Sequence, residues 1–143
     1  MTTREMHNTK FPNIALDQQE ITTNTTTVGN IIDVQQLQGF NSLEFYILAG
    51  VLTDGAYALL LEHGDDPALS DAADVPDDDL TNLESTAGFT STDDQVAKRI
   101  GYIGGKRFVR PSLISTGVTT GGFFVIMALL GHTRNAPVDG NPS

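Results

Sequence analysis

Lys98-Arg99-Ile100-Gly101-Tyr102-Ile103-Gly104-Gly105-Lys106-Arg107-Phe108-Val109-Arg110 interleaves basic and apolar positions on either side of a two-glycine break. Side chains of a strand point to opposite faces in turn, so the stretch reads as strands with one wet face. It holds five of the eight Lys and Arg residues of a chain whose formal net charge is −10. The segment is therefore both a fold signal and a local basic patch on an acidic molecule.

Working outward, residues 96–103, 106–114 and 123–130 read as the strands of the C-terminal part. Pro111 lies inside the second, which places that strand at an edge or at a bulge. Residues 123–130 are apolar at every position, as expected of a central strand buried on each side, although a buried helix has the same signature. Upstream, residues 28–34, 42–49 and 57–62 are strand-like, with Leu43, Phe45 and Ile47 sharing one face. Gly39-Phe40-Asn41 and Thr53-Asp54-Gly55 separate them as turns, the latter carrying the Asp-Gly hairpin signal. About seven to eight short strands with closely spaced turn signals predict an all-β fold, a β-sandwich.

Three parts follow from this pattern. Residues 1–24 are a polar extended N-terminal arm on which Phe11, Ile14 and Leu16 are isolated apolar anchors. Too little apolar surface is present to offset the entropy of ordering, so the arm is expected to be mobile or laid against a partner. Residues 25–134 are the sandwich domain. Residues 135–143 are a polar, flexible tail with two prolines.

Composition narrows the function classes. A chain of 143 residues forms one domain with a core of its own. Cysteine is absent, which excludes disulfides and thiolate metal sites. No apolar run approaches the ~20 residues of a membrane helix, and residues 1–10 lack a signal-peptide core. Neither a membrane nor free nucleic acid is an expected partner, since a phosphate backbone is repelled by most of this surface.

No catalytic constellation stands out. The spacing of a phosphate loop fails, because Ile100 occupies the first glycine position and Arg107 follows the lysine. Residues 63–94 carry many Asp and Glu and no Lys or Arg, but no EF-hand spacing, and read as a solvated acidic loop. Leu80 and Leu83 fit one short helical turn there, with residues 77–79 at its N-terminal end. His7, His63 and His132 lack metal-ligand spacing; His63 and His132 end strands, where each can donate to a backbone carbonyl. No Gly-x-Ser-x-Gly elbow is present. No enzymatic activity, cofactor or metal is expected. The basic residues Lys106, Arg107 and Arg110 have two readings: a solvated face paired with the acidic loop, or a docking patch for an acidic partner or a second copy.

The run from Ile100 to Arg110, the strand closing Leu130-Gly131-His132 and the terminal Ala136-Pro137-Val138 resemble a family of small structural proteins of tailed bacteriophages. Their genes commonly lie near that of the major capsid protein. Asn41-Ser42-Leu43-Glu44-Phe45, Leu61-Glu62-His63-Gly64-Asp65 and the Asp93-Asp94 pair also match, so the resemblance spans roughly residues 28–138. The longer arm and Pro111 depart from the pattern. The resemblance implies a virion component assembled in the host bacterial cytoplasm, of capsid decoration or cement type. The residues themselves supply the expected contacts of such a protein with the major capsid protein and with further copies in a homo-oligomer: the isolated anchors Phe11, Ile14 and Leu16, and the cations Lys106, Arg107 and Arg110 of a chain on which the two signs of charge are segregated. A neck or tail component and a carbohydrate-binding module on the virion surface are the alternatives. The absence of Trp argues against the last.

Overall fold

Leu43, Phe45 and Ile47 are buried while Ser42, Glu44 and Tyr46 between them are half-exposed, the period-two alternation of a strand with one face on the core. The computed structural model describes residues 6–36 and 39–134; the tail at 135–143 lies outside them. The strands are β1 Phe11–Ile21, β2 Thr26–Val28, β3 Ile32–Asp33, β4 Phe40–Leu52, β5 Ala56–Gly64, β6 Ala73–Asp74, β7 Phe89–Thr90, β8 Ala97–Tyr102, β9 Phe108–Thr116 and β10 Gly122–Thr133. They form two antiparallel sheets, ordered β1-β10-β4-β8 and β2-β9-β5-β6, with β3 also on β9 and β7 also on β5. The fold is an all-β sandwich.

The core fills the space between the sheets. Phe45 and Ile47 of β4, Phe124, Ile126, Ala128 and Leu130 of β10, and Ile100 of β8 meet Tyr57 and Leu61 of β5 and Val109 and Leu113 of β9. At one end Phe124 packs against Tyr57, with ring centroids 4.6 Å apart, and against Phe89 at 5.4 Å. Burial of these side chains is the main favourable contribution to the fold, at about 1.5–3 kcal/mol for each large one.

The sequence reading of residues 1–24 as a loose arm needs correction. β1 pairs with β10 from Phe11 opposite Leu130 to Ile21 opposite Gly122. Phe11 is 5% and Leu16 2% exposed, and Phe11 stacks on Phe40 at 6.2 Å. A polar segment can do this because an edge strand buries only one face, while the open side of β10 supplies ladder hydrogen bonds. Irregularities between Ile14 and Leu16 and between Leu16 and Gln19 turn Ala15 and Leu16 inward together. Ile14 stays on the outside, 51% exposed.

Pro111 is likewise not at an edge, because β9 has neighbours on both sides. The neighbour is what breaks. β2 ends at Val28 and β3 begins at Ile32, so no ladder partner needs the missing N–H. Gly29 donates its N–H to the Pro111 carbonyl at 2.8 Å. Its bare Cα is required there, since a Cβ would collide with the carbonyl oxygens of Ala15 and Pro111. The strand expected at 28–34 is thus split into two short pieces by this crossing.

The remaining differences share one cause. No two long strands adjacent in sequence pair with each other; β4 to β5, β8 to β9 and β9 to β10 each change sheet. The Asp54-Gly55 turn and the Gly104-Gly105 turn are therefore corners rather than hairpins. Phe40 and Asn41, read as turn residues, begin β4. In the acidic segment two short 3-10 turns, Asp77–Asp79 and Glu84–Ala87, replace the single helical turn, and Leu80 bridges Tyr102 at the edge of β8. The 123–130 strand is central, but only Phe124, Ile126, Ala128 and Leu130 are fully buried.

Candidate functional site

Several of the carboxylates that dominate the sequence hold backbone. Asp54 at the corner between β4 and β5 accepts N–H bonds from Thr119, Thr120 and Gly121 and the Thr119 hydroxyl, at 2.7–3.2 Å. These donors, the Thr119 hydroxyl foremost, hold its pKa far below the usual carboxylate range. Asp71 accepts from the N–H groups of Asp65 and Asp66, and Asp66 from those of Ala68 and Ser70; both are lowered by these bonds. Glu84 is the exception. It accepts from Leu61 N–H at 2.6 Å, yet burial raises its pKa. Among the described residues no group of three or more His, Asp or Glu is placed to hold a metal ion.

The basic stretch disperses. Lys106 pairs with Asp65 at 3.0 Å, the contact with the acidic loop that its sequence allowed. Arg107 grips both oxygens of Asp33, at 2.9 and 3.0 Å, and lowers that carboxyl's pKa. Arg110 meets its cross-strand partner Glu62 at 3.0 Å. Lys98 donates to the Gly88 carbonyl at 2.6 Å and lies 4.8 Å from the Phe89 ring centroid. Each of these cations is engaged inside its own chain, on three different elements. They do not form one face.

Two histidines differ from their sequence reading, since both bond side chains and not carbonyls. Tyr102 accepts the Lys106 N–H at 3.0 Å, and the same hydroxyl is hydrogen-bonded with His63 Nδ1 at 2.8 Å. Both residues are buried, and the pair ties the corner after β8 to the end of β5. His132 Nδ1 lies 2.8 Å from Ser42 Oγ. The pair is exposed, and no carboxylate among the described residues bonds the other ring nitrogen. This arrangement lacks the third group that orients a catalytic histidine. Tyr57 and Tyr102 are buried, leaving only Tyr46 of the three tyrosines with an accessible ring.

What the fold leaves uncovered is the outer face of the four-stranded sheet. Phe123, Val125, Met127 and Leu129 run along its central strand. Beside them lie Leu48 and Tyr46 of β4, opposite Val125 and Met127, and Ile14 of β1, opposite Met127. Phe123 is 44% exposed, Leu48 40% and Val51 55%. The Tyr46 hydroxyl is held between Glu44 and Arg99, and its pKa is raised, first by the bond to Glu44. At the opposite end from Phe123 the face sinks into a groove of about 260 Å³ floored by Leu43, Tyr46, Tyr102 and Leu129, with Lys10 on its rim. An apolar face of this kind is a candidate for a surface that another molecule covers.

No protein-family model matches this chain, and no curated protein matches it. Of the sequence-derived contact residues, the structure brings only Ile14 onto this face. Phe11 and Leu16 are in the core. Leu48, Val51, Phe123, Met127 and Leu129 went unmarked, although for the last three the uninterrupted apolar run at 123–130 contained the signal: its odd positions are apolar without being needed inside.

Proposed function

We propose that this protein is a structural component of a tailed-phage virion, of the type that decorates and cements the head by binding the major capsid protein. Its work is adhesive rather than catalytic. The observation that carries this reading is the uncovered apolar face of the four-stranded sheet, on a domain whose carboxylates and cations serve mainly its own backbone and one another. Such a domain is built to be covered by protein. The sequence resemblance to small phage structural proteins supplies the setting. With β1 locked into the sheet, contact with the capsid comes from the surfaces of the sandwich and not from a loose arm.

Purified virions provide the test. Quantitative mass spectrometry should find this chain in copy numbers comparable to the major capsid protein, and the recombinant chain should bind heads emptied of it. Six or twelve copies per virion would move the protein to the neck. Absence from virions would remove the proposal altogether.

A further inference from the structure

We infer that the outer face of the four-stranded sheet is covered by the same face of a second copy, in an isologous two-fold dimer. The inference rests on the reading of this face as a protein contact, but not on the virion assignment; a dimer closed over this face meets the capsid through the remaining surfaces of the sandwich, so the two can fail separately.

Shape is the first argument. Phe123 and Val51 stand out at one end of the face, more than two-fifths exposed, while the apolar groove lies at the other end. Phe123 and Leu129 are six residues apart on β10, or about 20 Å along a strand. A two-fold axis lying in the interface and running across the strands, near Val125 and Met127, carries each Phe123 to the partner's groove. Knob and hollow then meet twice, as an isologous contact requires.

Charge is the second. The groove end carries Lys10, whose ammonium lies over Gly131. The Phe123 end carries Glu20, opposite Phe123 in the ladder, with Asp17 exposed on the same strand. Between them Glu44 and Arg99 flank Tyr46 and offset each other. The two-fold that seats Phe123 therefore also brings each Lys10 towards the other copy's Glu20. On a molecule of net charge −10, this is a face on which a like-charged copy meets opposite charge.

Area sets the strength. Four strands at ~4.8 Å spacing and seven residues at ~3.3 Å give a flat projection of roughly 400 Å². That is about half of the ~800 Å² each partner buries in a standard interface. A reversible dimer, held by the apolar stripe and opposed by net charge, is the expected result. Added salt should strengthen it, because screening removes the long-range repulsion more than it weakens apolar contact.

Sedimentation of the full chain over a hundredfold concentration range, at low salt and at ~0.5 M salt, tests this. The wild type should be a monomer–dimer system that tightens with salt. Phe123→Glu, at an exposed position, should raise the dissociation constant at least tenfold without altering the circular dichroism, and Met127→Lys should do likewise. Val28→Glu, 54% exposed on the other sheet, should leave it unchanged. Lys10→Glu should weaken the dimer, and adding Glu20→Lys should restore it. A wild type that stays monomeric at every concentration and salt would overturn the inference, whether or not it binds heads. So would a dimer that survives Phe123→Glu combined with Met127→Lys. Failure of head binding with the dimer intact would instead count against the proposed function alone.

Discussion

The two sheets are held together by different means. In the four-stranded sheet β1, β10 and β4 run for eleven to thirteen residues in long antiparallel ladders interrupted only by bulges, and the middle strand is apolar on both faces. The six-stranded sheet has two strands of nine residues, β5 and β9, flanked by two- and three-residue pieces. Where its ladders stop, carboxylates take the backbone N–H groups instead: Glu84 for Leu61 and Asp71 for Asp65 and Asp66. Asp54 does the same for the turn from β9 into β10. An N–H left without an acceptor costs about 1–3 kcal/mol. A chain with many breaks therefore uses many acids locally. The acidic composition is explained in part by this, and the apolar surplus falls on the other sheet.

Disrupting the long ladder should have the largest effect. Leu16→Ala should cost about 2–5 kcal/mol, the range for a fully buried leucine, and removal of residues 1–21 should abolish cooperative unfolding in urea. Either variant behaving like the wild type would return β1 to the status of an appendage. Next comes the strongest clamp. Asp54→Ala leaves three N–H groups and a hydroxyl without their acceptor and should lower Tm clearly. Because the Asp54 pKa is depressed when folded, its contribution is complete above the unfolded value of about 3.8 and is lost as pH falls below it. The variant should show a shallower acid transition than the wild type; parallel acid curves would show that the clamp adds nothing.

Glu84 sharpens the comparison with the opposite sign. Its folded pKa is raised, so the protonated form is favoured by folding. That contribution is complete below the unfolded pKa and is lost as pH rises through the folded one. Glu84→Gln keeps an acceptor for Leu61 N–H and removes the charge beside Asp74 and Asp77. At pH 7 it should match or exceed wild-type stability, with the advantage disappearing towards pH 4. A clear loss at pH 7 would mean that the charge itself is needed.

The ion pairs come last. A double-mutant cycle on Arg110 and Glu62, whose side chains are about one-fifth exposed, should give a coupling of about 1 kcal/mol at most. The more exposed Lys106–Asp65 pair should give a smaller one. Equal couplings would show that burial does not set their ranking.

Much of the fold was legible because it rests on local chemistry. Leu43, Phe45 and Ile47 announced the buried face of β4, and the all-β class followed from such alternation and from turn residues. β1 was missed for a physical reason: its apolar content is too low to order the segment alone, and its stability comes from β10, about a hundred residues away in sequence. Pro111 was misplaced because its tolerance depends on a gap in a neighbouring strand. The odd positions of 123–130 were seen as apolar, but which side of a sheet stays open is not written in a single strand.

By itself, then, the sequence determined the β class, the positions of most strands, the acid excess and the lack of any local catalytic motif, since each depends on residues within a few positions of one another. Only the tertiary structure decided that Asp54 and Gly55 make a corner rather than a hairpin. It alone sent the clustered cations to Asp65, Asp33 and Glu62, and it alone left the stripe from Phe123 to Leu129 uncovered. In this chain sequence-adjacent long strands always part to different sheets. Every pairing between long strands is therefore long-range, and which faces close upon each other is settled only when all the strands are in place.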